Sequence, residues 1–287
     1  MSAAVALTVA GSDPSGGAGI QADLKTFSAL GAYGTAVLTA LTAQNTRGVT
    51  GVHPVPAEFV GEQLRTLFAD VTVHATKLGM LGTAEVVREV AAVLADRPGG
   101  PVVCDPVMVA TSGDRLISQE AVDAVRTALL PVSDLVTPNA PEAAALLDVA
   151  PATRVDELVE QGRALLALGP AVVLVKGGHL GGDESVDVLV TGGGVVETRR
   201  PRVTTTSTHG TGCTLSSALA ALAARRLHDG DGGHGRDGGH AGDGCLDWAL
   251  LVEQARDYLQ EALAAGGALG VGAGHGPVHH FARWWSA

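Results

Sequence analysis

The sequence predicts an α/β fold of three layers, a mainly parallel central sheet with helices on both faces and a small antiparallel hairpin at one end. Two observations carry this. Short apolar runs and amphipathic stretches alternate along the chain, as βα units require. Such alternation argues for a mainly parallel sheet covered by helices on both faces. Two later runs flank Gly192-Gly193-Gly194, the signature of a hairpin.

Val5 to Ala10 is the first buried strand, stopped by the loop Gly11-Ser12-Asp13-Pro14-Ser15-Gly16-Gly17. Ala18 to Leu30 places Ile20, Leu24, Phe27 and Leu30 on one helical face and ends at Gly31. Strands are expected at 36–43, 75–80, 102–104, 134–137 and 172–175, and helices at 58–68, 84–94, 119–129, 141–147 and 155–168. Val186 to Val190 and Val195 to Thr198 form the hairpin, and helices near 214–227 and 246–264 close the chain. Between them HDGDGGHGRDGGHAGDG (228–244) is a drifted six-residue repeat whose glycine content predicts a flexible insert. No linker composition divides the chain, so a single domain over residues 1–287 is expected.

With 287 residues, 46% hydrophobic and 17% charged, the chain can bury a core and is not disordered by composition. Nineteen Lys and Arg stand against 30 Asp and Glu, a formal charge of -11, which argues against a nucleic-acid partner. The absence of a membrane-length apolar window and of a basic leader predicts a soluble, cytoplasmic protein without a membrane partner. Cys104, Cys213 and Cys245 show neither disulfide nor zinc spacing. Only Lys25, Lys77 and Lys176 are lysine, a hint that a compact point charge is wanted there.

No GxxxxGK[ST] occurs, so a P-loop is excluded. Thr208-His209-Gly210-Thr211-Gly212-Cys213-Thr214 opens a helix instead, where unpaired amides and the positive dipole end form an anion site. A phosphate and a bare glycine-rich helix start both account for it. Asp105 follows one strand, and Asn139 and Glu142 follow another. All project from the carboxyl edge of a parallel sheet, where α/β proteins bind ligands. These oxygen ligands suit Mg2+ shared with phosphates, and equally serve as turn and capping residues. Lys176 ends a strand on the same edge. Together the three features point to phosphoryl transfer.

The stretches AGSDPSGGAGIQADLKTFSALGAYG, TALTAQNTRGV, KLGMLG, DPVMVATSGD, TPNAPEAAALL, VKGGH and THGTGCTLSSALAAL, with the terminal GHGPVHHFARWW, resemble the hydroxymethylpyrimidine/phosphomethylpyrimidine kinases of thiamine biosynthesis, in order and over nearly the whole chain. The resemblance implies a ribokinase-like fold, ATP and Mg2+, a homodimer, and two successive phosphorylations of 4-amino-5-hydroxymethyl-2-methylpyrimidine. It assigns Gly11, Asp23, Gln44, Met80 and Val107 to the pyrimidine pocket. Asp105 and Glu142 go to the metal, and Asn139, Lys176 and Thr208 to ATP and its phosphates. Gly210, Thr211 and Gly212 become the anion hole, and Cys213 stands where related sugar kinases carry a catalytic Asp. At the N-terminus of a helix the Cys213 thiol would have a lowered pKa, a shift that a bound ATP anion opposes. Ser207 and the 228–244 insert depart from the family pattern. A pyridoxal or pyridoxine kinase of the same superfamily is the alternative enzyme, and a non-catalytic pyrimidine sensor the alternative from another class.

Overall fold

The computed structural model describes residues 2–96, 99–108, 118–230 and 246–285. Its strands are β1 (Val5–Ala10), β2 (Tyr33–Leu38), β3 (Ala40–Asn45), β4 (Gly48–Pro54), β5 (Ala75–Leu78), β6 (Val102–Cys104), β7 (Leu135–Val136), β8 (Val172–Lys176), β9 (Glu184–Thr191) and β10 (Gly194–Pro201). The α-helices are α1 (Gly19–Ala29), α2 (Ala57–Asp70), α3 (Ala84–Leu94), α4 (Gln119–Ala124), α5 (Ala140–Leu147), α6 (Val155–Leu166), α7 (Thr211–His228) and α8 (Trp248–Gly266). Eight strands form one sheet in the order β10-β9-β8-β7-β6-β5-β1-β2. From β2 to β8 every pairing is parallel, while β9 and β10 are antiparallel at one end. The expected hairpin is present, its strands joined across Gly192 and Gly193.

Strand residues divide between two cores with a period of two, which makes the three layers. Val173 and Val175 of β8, Val102 and Cys104 of β6, and Leu7 and Val9 of β1 join α2, α3, α5 and α6 on one face. Val172, Leu174, Val103 and Ala6 join α1, α7 and α8 on the other. Each fully buried Leu or Val contributes roughly 1.5–3 kcal/mol of transfer free energy. On α7 half of the buried positions are alanine (Ala218, Ala220, Ala221, Ala223 and Ala224), and such small side chains let α1 and the sheet approach closely.

Two expected elements differ. The strand expected at 36–43 breaks at Thr39, whose amide donates to Ala10 O (3.1 Å) and whose hydroxyl donates to Met80 O (2.7 Å). The chain then leaves the main sheet, and β3 pairs with β4 in a separate two-stranded sheet. The sequence hid β4 because Gly48, Gly51 and Pro54 read as breakers and the hairpin is largely exposed. The helix expected at 119–129 is α4 followed by a π turn over Val125–Leu129. From residue 231 the glycine- and histidine-rich insert lies outside the described residues. No helix among the described residues is long and apolar enough to cross a membrane.

Candidate active site

A cavity of about 780 Å³ opens at the carboxyl edge of the parallel strands. Every expected site residue except Asp23 lines it: Gly11, Gln44, Met80, Val107, Asp105, Asn139, Glu142, Lys176, Thr208, Gly210, Thr211, Gly212 and Cys213.

The floor comes from the loop after β1. Asp13 organises it, accepting from the amides of Ser15 (2.9 Å), Gly17 (3.2 Å) and Ala18 (2.9 Å) and approaching His209 Nε2 at 2.7 Å. Burial alone would raise its pKa, but the His209 and Ser15 bonds bring it below the ordinary range. Asp13 therefore ties this loop to the one before α7. The sequence reading treated Asp13 only as a loop residue; the Asp-Pro-Ser turn was the available signal. Gly11 completes the floor, because a Cβ there would stand 2.4 Å from Met80 Cε.

Gln44 sits on β3 at a register shift between Ala43 and Gln44 and accepts from the Thr42 hydroxyl (3.2 Å) through Oε1. Such a bulge re-aims a side chain. The half-buried Gln44 side chain lines the same cavity as the start of the helix that opens at Thr211.

That helix is α7. Gly210 is its N-cap with φ +79, and a Cβ there would lie 1.8 Å from Gly17 O, so only glycine fits. The first-turn amides of a helix lack intrahelical acceptors and carry the positive end of its dipole. Gly212 lets this end reach the charged centre, since a Cβ there would lie 3.2 Å from Lys176 Nζ and 3.3 Å from Asp105 Oδ2.

At that centre Lys176 donates to Asp105 Oδ1 (2.8 Å) and stands 3.9 Å from Glu142 Oε2. Asn139 and Glu142 form a capping box on α5, with Asn139 N donating to Glu142 Oε2 (2.8 Å) and Glu142 N to Asn139 Oδ1 (2.9 Å). The capping function and the placement on the ligand edge hold together. Burial pushes the Glu142 carboxyl up to about 7, with Lys176 opposing and Asp105 reinforcing the rise. Lys176 is drawn down by burial, more than offset by Asp105 and Glu142, and stays charged.

Cys213 is half-buried on the first turn of α7. Its thiol is pushed up to about 11 by burial, with the Lys77 ammonium pulling the other way. The lowered pKa expected from the helix N-terminus is therefore reversed, because removal from water outweighs the dipole.

Asp23 is the displaced residue. Its side chain is fully buried beneath the cavity in an ion pair with Lys77 (2.9 and 2.8 Å), and it accepts from Thr8 (2.6 Å) and Ser217 (2.6 Å). A carboxylate with an equally buried ammonium for a partner has no reason to face a ligand.

On the β8–β9 side the cavity is lined by Asp187 and Arg256, which sequence reasoning did not single out. Asp187 accepts from Gly177 N (3.0 Å) and pairs with Arg256 Nη1 (2.9 Å), fixing the backbone that follows Lys176. Pairing between β9 and α8 leaves no local signature.

Two carboxylates, Asp105 and Glu142, offer oxygen ligands, and among the described residues no group of three metal-binding side chains exists. That set fits a cation that keeps waters and is shared with substrate phosphates, not a protein cage.

The phosphomethylpyrimidine kinase family matches residues 13–229. The chain is 51% identical to the hydroxymethylpyrimidine/phosphomethylpyrimidine kinase of Escherichia coli strain K12, over 98% of each. It is 50% identical over 96% of its length to the thiamine biosynthesis multifunctional protein ThiED of Corynebacterium efficiens, of which it covers 35%. Among solved structures, an ADP complex of Bacillus subtilis pyridoxal kinase superposes with a TM-score of 0.84 at 31% identity, covering 99% of this chain and 100% of that one. Phosphomethylpyrimidine kinase from Clostridium difficile 630 gives a TM-score of 0.72 at 37% identity, covering 90% and 98%.

Proposed function

The chain belongs to the phosphomethylpyrimidine kinase family, and on that premise we propose how its cavity works. It is an ATP-dependent kinase of thiamine biosynthesis, phosphorylating 4-amino-5-hydroxymethyl-2-methylpyrimidine to the monophosphate and then to the diphosphate. The observation that carries this reading is one cavity lined both by Gln44 and by Gly210 to Cys213 with Lys176. The ring is held by Gln44, whose amide accepts from the exocyclic amine and donates to the adjacent ring nitrogen, over a floor of Gly11, Met80 and Val107. ATP lies along the β8–β9 side, its phosphates toward Thr208, Asn139 and Lys176. Mg2+ held by Asp105 and Glu142 would neutralise phosphate charge.

Phosphoryl transfer needs positioning and charge stabilisation more than covalent chemistry. The substrate oxygen bonds to the γ-phosphorus as the bond to the ADP oxygen breaks. The anion-hole amides and Lys176 meet the charge on the transferring oxygens. In the first step the hydroxyl proton passes to the thiolate form of Cys213, the minor species of a thiol held at about 11. In the second the acceptor is a phosphate oxygen already anionic near neutral pH, which needs no base. Fold likeness to a pyridoxal kinase does not decide the ring, which is read by the site. We further read the chain as one kinase domain acting as a cytoplasmic homodimer, which light scattering checks.

The test is product formation with ATP and Mg2+ on three acceptors: the aminopyrimidine alcohol, its monophosphate and pyridoxine. Both pyrimidines should be phosphorylated in preference to pyridoxine. A protein faster on pyridoxine, or inactive on either pyrimidine, overturns the reading.

A further inference from the structure

The terminal GHGPVHHFARWW resembles the family's C-terminus, but the reaction as derived gives it no part. In the structure residues 272–280 run past four pieces of the site. At the tip of the β3–β4 hairpin, whose first strand carries Gln44, Gly274 N donates to Thr46 Oγ1 (3.2 Å). The approach there leaves no room for a side chain: a Cβ at Gly274 would lie 2.0 Å from Thr46 O, and one at Gly272 (φ +74) 2.2 Å from Thr46 Oγ1. Next, His209 N donates to Gly276 O (3.0 Å), on the loop that leads into the anion hole. Pro277 packs at Gly17, where an added Cβ would lie 3.2 Å from Pro277 Cβ. Finally, His280 Nε2 lies 3.1 Å from Thr214 Oγ1 on the first turn of α7.

The far end of this segment is fixed. Val278 is fully buried, His279 N donates to Ala262 O (2.9 Å), and the Tyr258 hydroxyl donates to His280 O (2.7 Å). One end is therefore anchored in the α8 core, while the other lies on an exposed hairpin. That hairpin stands outside the main sheet and has little core of its own to hold it.

We propose that residues 272–280 form a positioning strap that holds the Gln44 hairpin at a set distance from the anion hole, so that the ring is bound where its hydroxyl meets the transferring phosphoryl group. The strap touches no reacting atom; it acts through Thr46 and His209. It rests on the reading of the cavity as a pyrimidine kinase site. Displacing a positioning element by about an ångström can cost up to two orders of magnitude in rate.

The test is Gly274→Ala in the full-length protein, with Thr46→Val and Thr46→Ser as companions. One readout is independent of substrate: the rate at which trypsin cuts after the exposed Arg47 in the hairpin turn, followed by mass spectrometry. Lifting the strap should raise that rate by about fivefold or more, because cleavage follows the population of the opened hairpin. The second readout is the KM split. Gly274→Ala should raise KM for the aminopyrimidine by about tenfold and change KM for ATP less than about twofold. Thr46→Val should follow it in part, and Thr46→Ser, which keeps the hydroxyl, should behave as wild type.

Faster cutting with an unchanged pyrimidine KM overturns the positioning role. Unchanged cutting overturns the strap contact. A lowered melting temperature with both KM values rising together makes the segment merely structural and also overturns the proposal. If the wild type does not phosphorylate the pyrimidine, the functional reading fails, while the cutting rate still reports on the strap.

Discussion

Asp23→Asn separates the buried position seen here from the pocket position that the family resemblance implies. Both Asp23 and Lys77 have side chains with 0% exposure, and Asp23 receives both bonds from Lys77 as well as those from Thr8 and Ser217. Asparagine keeps the shape and removes the charge, leaving an ammonium uncompensated in the interior, a loss of about 3–5 kcal/mol. For a chain of this length that lowers Tm by roughly 5–8 °C. The assay is a double-mutant cycle by urea denaturation with Lys77→Met, which removes the stranded charge. The double variant should recover about 2 kcal/mol or more of the single loss. The ring contacts proposed for Gln44 are untouched in every arm, so the aminopyrimidine KM should move little where the protein is folded. A single variant costing less than about 1 kcal/mol, with the pyrimidine KM raised tenfold or so, would refute the buried position and return Asp23 to the pocket.

Cys213→Ala should slow the first phosphorylation by about 10²–10⁴-fold and the second far less, because only the first acceptor carries a proton to lose. With the thiol at about 11, the wild-type first step should also climb with pH between about 7 and 9 while the second stays flat. Equal losses in both steps would reduce Cys213 to a positioning residue. Glu142, raised in the folded state to about 7 from 4.5, contributes stability that is fully present below pH 4.5 and lost as pH rises through 7. In metal-free protein, wild type should therefore lose up to about 3 kcal/mol relative to Glu142→Gln across that window, and parallel denaturation curves would disprove it. Gln44→Leu should lower kcat/KM on the aminopyrimidine by at least about tenfold and narrow its advantage over pyridoxine. An unchanged ratio would mean that the ring is read elsewhere.

Much of the site was legible because it is written locally. A strand followed at once by Asp105, an Asn139-to-Glu142 capping box and glycines opening α7 each announce themselves within a few residues, and a parallel sheet brings strand ends to one edge. What stayed hidden depends on distant partners. Asp13 meets His209 across the sequence, and Asp187 meets Arg256 only because β9 lies under α8. Cys213 shows the limit from the other side. Its helix position is local and argues for a thiolate, whereas its desolvation comes from the surrounding fold and wins. The β3–β4 hairpin escaped because its glycines and exposed face give no alternating pattern.

The scarcity of lysine acquires a physical meaning in the folded chain. All three lysines lie on or beneath the site, and each ammonium sits against a glycine. A Cβ would stand 2.8 Å from Lys25 Nζ at Gly16, 2.7 Å from Lys77 Nζ at Gly79, and 3.2 Å from Lys176 Nζ at Gly212. Lys25 donates to Gly16 O (2.7 Å), Lys77 to Asp23 and Lys176 to Asp105, so each slot holds one compact charge against backbone or carboxylate. A guanidinium is a larger planar fork that does not reproduce a point-charge contact of this kind. Arginine is therefore not a conservative replacement at any of the three. The two halves of each slot are also separated in sequence, by as little as two residues at Lys77 and Gly79 and by the β9–β10 hairpin at Lys176 and Gly212. The composition thus points to the lysines, and the fold supplies the reason each is lysine.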